Sequence, residues 1–559
     1  MTKRLVNPPT PTARAGWNPL TVVVLAALWI AAFANWPLWQ ALLALPETNS
    51  PRGIVFVTGF GLMIAALLSA LMAFAAWRFS VKPVVALFVL AAAFGAHFMG
   101  AYGVVIDSTM MVNVVQTDPR EVRDLLSWRL LFGVLFLAGV PLLLLWRVRL
   151  QRLGVLTQLG RNALGFMASL LVLAALMFAL FADLSATMRN HKSMRYLINP
   201  LNSFYALADI GLRAKARPAG PPLPIGMDAR IAARAPGTRP PLLLLVVGET
   251  ARADHFSLNG YARPTNPELA ALDVVSFGEV SSCGTNTAAS LPCMFSQLGK
   301  AGFEARERDS ENLLDLVQRA GMAVLWLDNQ AGCKGLCDRV PNAQAIDPAP
   351  GGTRPGAQLC EDGECLDEAL LVGLDARLAA LPAERSARGV LLVLHQMGSH
   401  GPAYYKRSPA NRKPFVPECR TNVLQQCERA DLINAYDNSI AYTDHVLAQT
   451  IGWLQRQSAQ YDTTLLYVSD HGESLGENNL YLHGLPYALA PREQKHVPMI
   501  VWSAAGVAPG AGSLSACLSE RRELPLTHDN LFHSVLGRLG IQASEYVAAL
   551  DIFAPCRTP

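Results

Sequence analysis

The pattern of apolar and polar positions changes character along the chain. Up to about residue 185 apolar residues run in long blocks; beyond about residue 215 they come in short runs that end in polar side chains. Five blocks, at about 18–40, 54–77, 83–105, 130–146 and 164–183, predict helices that cross a membrane, because roughly 20 apolar residues span a bilayer core. The fourth is nearest the short limit. The first is too long for a signal peptide and lacks a small-residue cleavage site after it. Five such blocks in series argue against buried helices of a soluble protein.

Basic residues in the short loops set the orientation. Lys3, Arg4 and Arg14 precede the first block, Arg78 and Lys82 separate the second and third, and Arg147, Arg149, Arg152 and Arg161 lie between the fourth and fifth. These loops are expected on the cytoplasmic side, which puts everything after residue 185 outside. One outside loop, IDSTMMVNVVQTDPREVRDLLSW at 106–128, mixes apolar and polar residues and is expected along the membrane surface. MRNHKSMRYLINPLNSFYALADIG at 188–211 is basic and then amphipathic, which reads as an interfacial helix. A stretch rich in Pro, Gly and Ala at 216–240 reads as a linker. The expected organisation is a five-span membrane domain over 1–185, an interfacial helix and linker over 186–240, and an outer domain over 241–559.

The short runs of the second half have strand length. PLLLLVVGET ends at Glu249 and Thr250, AVLWLDN at Asp328 and Asn329, GVLLVLHQMGSH at His395 and His400, and TTLLYVSDHGES at Asp470 and His471; VPMIVWS closes the series. Helical patterns lie between them, at 311–321 and 428–457. Alternating strands and helices predict a parallel sheet covered by helices, and continuous apolar strands fit burial on both faces. Ligands of such sheets bind where the strands end, so Glu249, His400, Asp470 and His471 are expected to converge.

Composition adds compartment and excludes one class of partner. Of 559 residues 51% are hydrophobic and only 16% charged, and the net charge of +4 carries no long Lys/Arg cluster that would suggest nucleic acid. None of the ten cysteines precedes Cys283. They fall as close couples, Cys283/Cys293, Cys333/Cys337, Cys360/Cys365 and Cys419/Cys427, with Cys517 and Cys556 left over. An even set confined to one segment reads as disulfides in an oxidising compartment, on the same side of the membrane as the basic loops require. Pairing of neighbours is an assumption here, since sequence does not fix connectivity. The rival, half a zinc site at Cys333-x-x-x-Cys337, finds no second pair at zinc-finger spacing.

Two carboxylates and imidazoles at one place suit zinc. The stretch VSSCGTNTAASLPCMFS, 280–296, supplies a hydroxyl for such a site: beside a metal, the oxygen of Thr287 can become a nucleophile. The residues after it could begin a helix whose first amides hold a phosphate, and a staple from Cys283 to Cys293 would fix the loop in advance. Each member alone has a plainer reading. Glu249-Thr250 could cap a helix, Asp470-His471 could be a loop pair, His400 and His483 could be turn residues, and Thr287 a structural hydroxyl.

Taken together, VVGETARADHFSLNGY, SCGTNTAASLPCMFS, DNQAGCKGLCDRVPN, GSHGPAYYKR and YVSDHGESLGENNLYLHGLPYALAP, in this order, make the chain resemble the lipid A phosphoethanolamine transferases, a family that includes the mobile colistin-resistance enzymes. The resemblance covers essentially the whole chain. It implies a multi-pass α-helical membrane domain followed by an α/β catalytic domain of the alkaline-phosphatase/sulfatase type, in the bacterial inner membrane with the catalytic domain in the periplasm. It implies that Thr287 is the nucleophile that becomes phosphoethanolamine-modified, and that Glu249, Asp470 and His471 bind one zinc whose shell Thr287 completes. His400 and His483 match histidines near the transferred phosphate, as acid and base or as ligands of a second zinc. Lys334 matches a substrate-contacting lysine, and Asn113 and Glu121 match residues that handle the lipid donor. The implied reaction is ping-pong: Thr287 takes phosphoethanolamine from phosphatidylethanolamine, and a phosphate of lipid A takes it from Thr287. Membrane lipids and the two substrates are the implied partners of a monomer, and polymyxin resistance the implied consequence. WLDN at 326–329 departs from the family's WRDN; Leu327 cannot supply the arginine's charge. Two rivals share the fold: a sulfatase or phosphatase, although neither Cys283 nor Cys293 begins the C-x-P-x-R motif sulfatases need, and a transferase acting on another envelope glycan.

Overall fold

The computed structural model describes residues 16–117, 119–216, 220–504 and 514–557. The chain packs as two units, Met1–Gly100 with Trp128–Tyr205, and Ala101–Ser127 with Ala206–Pro559.

The helices of the first half are α1 (Pro19–Phe33), α2 (Trp36–Leu43), α3 (Pro51–Ala73), α4 (Val81–Tyr102), α5 (Ser108–Gln116), α6 (Pro119–Leu125), α7 (Trp128–Arg147) and α8 (Val155–Ala179). Among the described residues α3, α4, α7 and α8 are each long and apolar enough to cross a membrane, and α1 and α2, bent by 47° where they meet, make a fifth when the pair is counted as one span. The sequence predicts that first span as continuous. Pro37, in the first turn of α2, has no N–H to continue the helix, and Asn35 occupies the break. A five-residue π-helical segment, Leu135–Gly139, interrupts α7 just before Pro141 for the same reason. The last span begins at Val155, nine positions before the sequence predicts, so Arg161 lies on the helix rather than in a loop. The expected single helix over 188–211 is broken, with a 3₁₀ turn at Lys192–Leu197 and α9 (Leu201–Ala216) beginning after Pro200.

Leu164, Leu171 and Phe178 recur every seven residues on α8 and stay exposed, an outward apolar stripe suited to lipid. The inward residues, among them Val23, Ile30, Phe60, Met63 and Leu68, form the core of the unit. Asn35 and Asn199 close the helix break. Asn35 Nδ2 donates to Asn199 O (2.8 Å), Asn199 N to Asn35 Oδ1 (2.8 Å), and Asn199 Nδ2 to the carbonyls of Ala34 (2.8 Å) and Ala92 (2.6 Å). Asn199→Ala removes the amide donor to the buried carbonyls of Ala34 and Ala92, so the purified protein is expected to lose about 2–3 kcal/mol in stability. Thermal unfolding in detergent checks this.

The second unit is built on an eight-stranded sheet: β1 (Pro241–Gly248), β2 (Val274–Ser281), β3 (Ala323–Asp328), β4 (Asn342–Gln344), β5 (Val390–His395), β6 (Asp462–Ser469), β7 (His496–Ser503) and β8 (Leu526–Thr527), in the order β8-β2-β7-β6-β1-β5-β3-β4. From β6 to β4 all neighbours are parallel. β7, which the sequence reading placed in a parallel sheet, runs antiparallel to both β6 and β2. An apolar run buried on both faces carries no mark of direction, which explains the difference. β1 shows why its run is continuous. Leu243, Leu245 and Val247 enter one core with α10 (Thr287–Met294) and α13 (Asp529–Leu539), while Leu242, Leu244 and Val246 enter the other with α12 (Arg429–Gln457). The capped helix α11 (Leu313–Arg319) covers the first of these faces.

Candidate functional site

Strand register assembles the site. Gly248 of β1 pairs with Ser469 of the parallel neighbour β6, so Glu249 and Asp470 leave adjacent strands at the same level. Asp470 N donates to Gly248 O (3.0 Å) and holds the two ends together. Two features hold Glu249. Gly398, at φ +54, comes so close that a Cβ would lie 2.6 Å from Glu249 O. Thr250, a β-branched residue at φ +59, is kept in this unfavourable region by its own bonds, N to Asp470 Oδ1 (3.2 Å) and Oγ1 to Glu249 Oε1 (2.6 Å).

Thr287 arrives from the other side. It is the first residue of α10, capped by Asn286, whose side chain accepts from Ala289 N. Its Oγ1 lies 3.2 and 3.1 Å from the Glu249 carboxylate oxygens and 3.4 Å from His471 Nε2. His471 Nε2 lies 3.3 Å from Glu249 Oε1 and 3.4 Å from Asp470 Oδ2. The loop before Thr287 is fixed by the Cys283–Cys293 disulfide. Thr285 stitches it to the segment carrying His483: Gly484 N donates to Thr285 O (2.8 Å) and Thr285 Oγ1 to Leu485 O (2.6 Å).

Glu249, Asp470 and His471 are fully buried, and their ligand atoms lie within 4.8 Å of one another. Among the described residues Asp470 Oδ2 has no hydrogen-bond partner. Burial, and then the neighbouring Glu249 charge, pushes the Asp470 carboxyl up to about 7. Two adjacent buried carboxylates with an orphaned oxygen are costly unless a cation joins them. His471 Nδ1 faces Gly472 O (2.9 Å), which leaves Nε2 free to act as a donor atom. A tetrahedral metal with arms of roughly 2.0–2.1 Å needs ligand atoms about 3.3 Å apart; Thr287–Glu249, Thr287–His471, Glu249–His471 and Asp470–His471 lie 3.1–3.4 Å apart, which matches that edge. The donor set therefore fits a small divalent metal.

His483 and His400 border this cluster. The His483 ring centroid lies 4.3 Å from that of His471 and 5.9 Å from that of His400. Lys334, at φ +49, directs its Nζ to Ala331 O (3.3 Å) in the loop after β3. Asn113 lies on α5, half-buried, and α5 packs against α10. At Gly484 (φ +91) a Cβ would lie 3.1 Å from Met110 Sδ, so α5 also passes over the residue next to His483. Glu121 falls in α6, with its side chain outside the described residues.

Several contributors are not among the site residues expected from sequence, although Asp328 and His395 stand out there as strand ends. Gln330 Nε2 donates to Glu249 Oε2 (3.0 Å), and Ser290 Oγ to Asp470 O (2.5 Å). Asp328 Oδ2 accepts from Trp326 Nε1 (2.8 Å) and faces His395 Nδ1 (3.0 Å) beneath the site. Glu473 lies 3.4 Å from His483 Nδ1, and burial pushes its carboxyl up to about 8. Its place two residues after His471 was the available signal. The five disulfides are Cys283–Cys293, Cys333–Cys337, Cys360–Cys365, Cys419–Cys427 and Cys517–Cys556. Leu327 is buried in the sheet core.

His528 ties the two halves of the site: its Nδ1 accepts from Cys283 N (3.1 Å) and its Nε2 faces Ser469 O (2.9 Å). Burial pushes its imidazole from 6.5 down to about 4. The folded form thus binds its proton less readily than the unfolded chain, so its contribution is present above 6.5 and lost as pH falls toward 4. In His528→Asn the melting temperature is expected to fall less steeply than in the wild type between roughly pH 7 and pH 5, as a pH series of unfolding curves would show.

The mostly parallel sheet with acidic and histidine side chains at its strand ends defines a class: the family model described as sulfatase matches residues 241–541. The model described as phosphoethanolamine transferase EptA/EptB matches residues 64–213. The chain is 38% identical to the phosphoethanolamine transferase EptA of Salmonella typhimurium, covering 96% of each chain. It is 37% identical to the phosphatidylethanolamine transferase Mcr-1 of Escherichia coli, covering 95% of this chain and 97% of that one. The solved integral membrane protein lipooligosaccharide phosphoethanolamine transferase A (EptA) from Neisseria meningitidis superposes with a TM-score of 0.87 at 32% identity, covering 96% and 99%. The chain belongs to the phosphoethanolamine transferase family.

Proposed function

We propose that this protein transfers phosphoethanolamine from phosphatidylethanolamine to a phosphate of lipid A through a phosphothreonine at Thr287. It lies in the bacterial inner membrane, with residues 1–185 as the membrane domain, 186–240 joining, and a catalytic domain over 241–559 in the periplasm. The observation that supports this reading best is the buried Thr287 hydroxyl within 3.4 Å of Glu249 and His471, beside a cluster able to hold a metal ion.

Glu249, Asp470, His471 and Thr287 would hold one zinc. Bound there, zinc would lower the pKa of the Thr287 hydroxyl and offset charge on the phosphoryl oxygens. In the first half-reaction Thr287 Oγ1 bonds to the donor's phosphorus, and the bond to the diacylglycerol oxygen breaks. His400 and His483 serve as acid and base: one takes the proton of the Thr287 hydroxyl and the other supplies the proton that the diacylglycerol oxygen takes. Glu473 orients His483. In the second half-reaction an oxygen of a lipid A phosphate attacks the phosphothreonine and Thr287 regains its proton. Lys334 offers positive charge to a phosphate, and Asn113 and Glu121 hold the lipid donor. The product joins the phosphate monoester to phosphoethanolamine as a pyrophosphate diester whose ammonium offsets negative charge, so the envelope loses negative charge and binds polymyxin less.

Lipid A mass spectrometry tests the reading in a Gram-negative host that lacks its own such transferases. A phosphoethanolamine increment on expression of this chain supports it. No increment, with the protein correctly inserted, sinks the lipid A acceptor.

A further inference from the structure

The segment Ala101–Ser127 packs with the second unit although it sits between two membrane-length helices. One side of α5 rests on the helix that carries Thr287. The other side of the segment exposes Val114, Val115, Val122 and Leu126, an apolar face next to polar machinery. A buried carboxylate ties the segment's C-terminal part to the catalytic domain. Asp124 is buried, 8% exposed, and pairs with Lys406 Nζ and, at 3.4 Å, with Arg407 NH2. Asn422 Nδ2 donates to the carbonyls of Asp124 and, at 3.2 Å, Leu126.

Arg407 is the centre of this clamp. It is also buried, and its three nitrogens go to three places: Nε to His400 O (2.8 Å), NH2 to Asp124 and NH1 to Glu364 Oε2 (3.4 Å). Two disulfides hold the partners. Glu364 lies in the hairpin closed by Cys360–Cys365, and Asn422 in the loop closed by Cys419–Cys427.

We infer that the Asp124–Arg407 clamp positions the α5–α6 segment for the lipid donor and sets His400 by the same guanidinium, so that seating of the lipid and placement of the histidine depend on one buried ion pair. This rests on the proposed reading of the site. A buried guanidinium that loses one of two carboxylates remains half compensated, and the segment loses its charge pairs with both Lys406 and Arg407. Asp124 and Arg407 are positioning residues; neither belongs to the chemistry.

The test uses the full-length protein in nanodiscs, with phosphatidylethanolamine as donor and lipid A as acceptor. Asp124→Asn is expected to raise KM for phosphatidylethanolamine about tenfold, with kcat within about twofold of the wild type. Arg407→Lys keeps charge but not the fork, and is expected to raise KM and also lower kcat, since the bond to His400 O is lost. Asp124→Glu should recover most of the lost affinity. Hydrogen–deuterium exchange over 108–125, which needs no substrate, should rise in Asp124→Asn. Unchanged exchange there, or an unchanged KM, overturns the inference. A wild type that transfers nothing sinks the proposed function instead, and the exchange measurement still decides whether the clamp holds the segment.

Discussion

Thr287→Ala is expected to fold normally and to lose transfer by on the order of 10⁴-fold or more. The fold should survive because Thr287 is only the first residue of α10. The cap is Asn286, the covalent staple is Cys283–Cys293, and the stitch to the His483 segment runs through Thr285. Alanine disturbs none of these and favours a helix. What is lost is the one hydroxyl within 3.1–3.4 Å of Glu249 and His471. Thr287→Ser keeps that oxygen and should retain a measurable fraction of activity. Initial rates decide the magnitude. Intact-protein mass after exposure to donor alone decides the mechanism: the wild type should gain one phosphoethanolamine and Thr287→Ala none. An alanine variant with near wild-type turnover would remove Thr287 from the role of nucleophile.

Asp470→Asn is the second large effect, and its sign differs between activity and stability. Asp470 Oδ1 accepts from Thr250 N and His471 N, and an asparagine oxygen can keep both bonds. Oδ2 is the orphaned atom, and there an amide nitrogen cannot ligate a metal. Zinc content should therefore fall and activity drop by about 10³-fold or more. In metal-free buffer, however, the variant should melt at or above the wild-type temperature, because a like-charged pair beside Glu249 has been removed. Adding zinc should raise only the wild type, by on the order of 4 kcal/mol at a thousandfold excess over its dissociation constant. Equal zinc response in both proteins would show that Asp470 is not a ligand.

Much of this architecture was legible because its physics is local. Strands buried on both faces must be continuously apolar, and a strand end must turn polar to hold a ligand. Glu249, Asp470 and His471 therefore stood out at the ends of their runs, and helices long enough for a bilayer announced themselves by length. Three kinds of feature were not legible. The direction of β7 was hidden because an apolar run reads the same both ways. β2 was hidden because SFGEVS mixes polar residues with apolar ones. Supporting residues were hidden because their partners are remote: Gln330 reaches Glu249 across 81 positions and Arg407 reaches Asp124 across 283. No window of sequence contains both ends of such a contact. The break at Asn35 could have been read from Pro37, but its closure by Asn199 could not.

The spacing of the cystines bears on how the chain is made. Four of the five join residues 4 to 10 positions apart, and the fifth, Cys517–Cys556, joins residues 39 apart. Each of the four can be oxidised as soon as its own short stretch has been exported, while the rest of the chain is still crossing the membrane. Cysteines also emerge in partnered order, so an oxidase that joins consecutive thiols makes the native bonds without later shuffling. Among these cystines, the last waits for the C-terminus. Loss of a disulfide isomerase should then cost this protein less than loss of the primary oxidase, even though it carries ten cysteines.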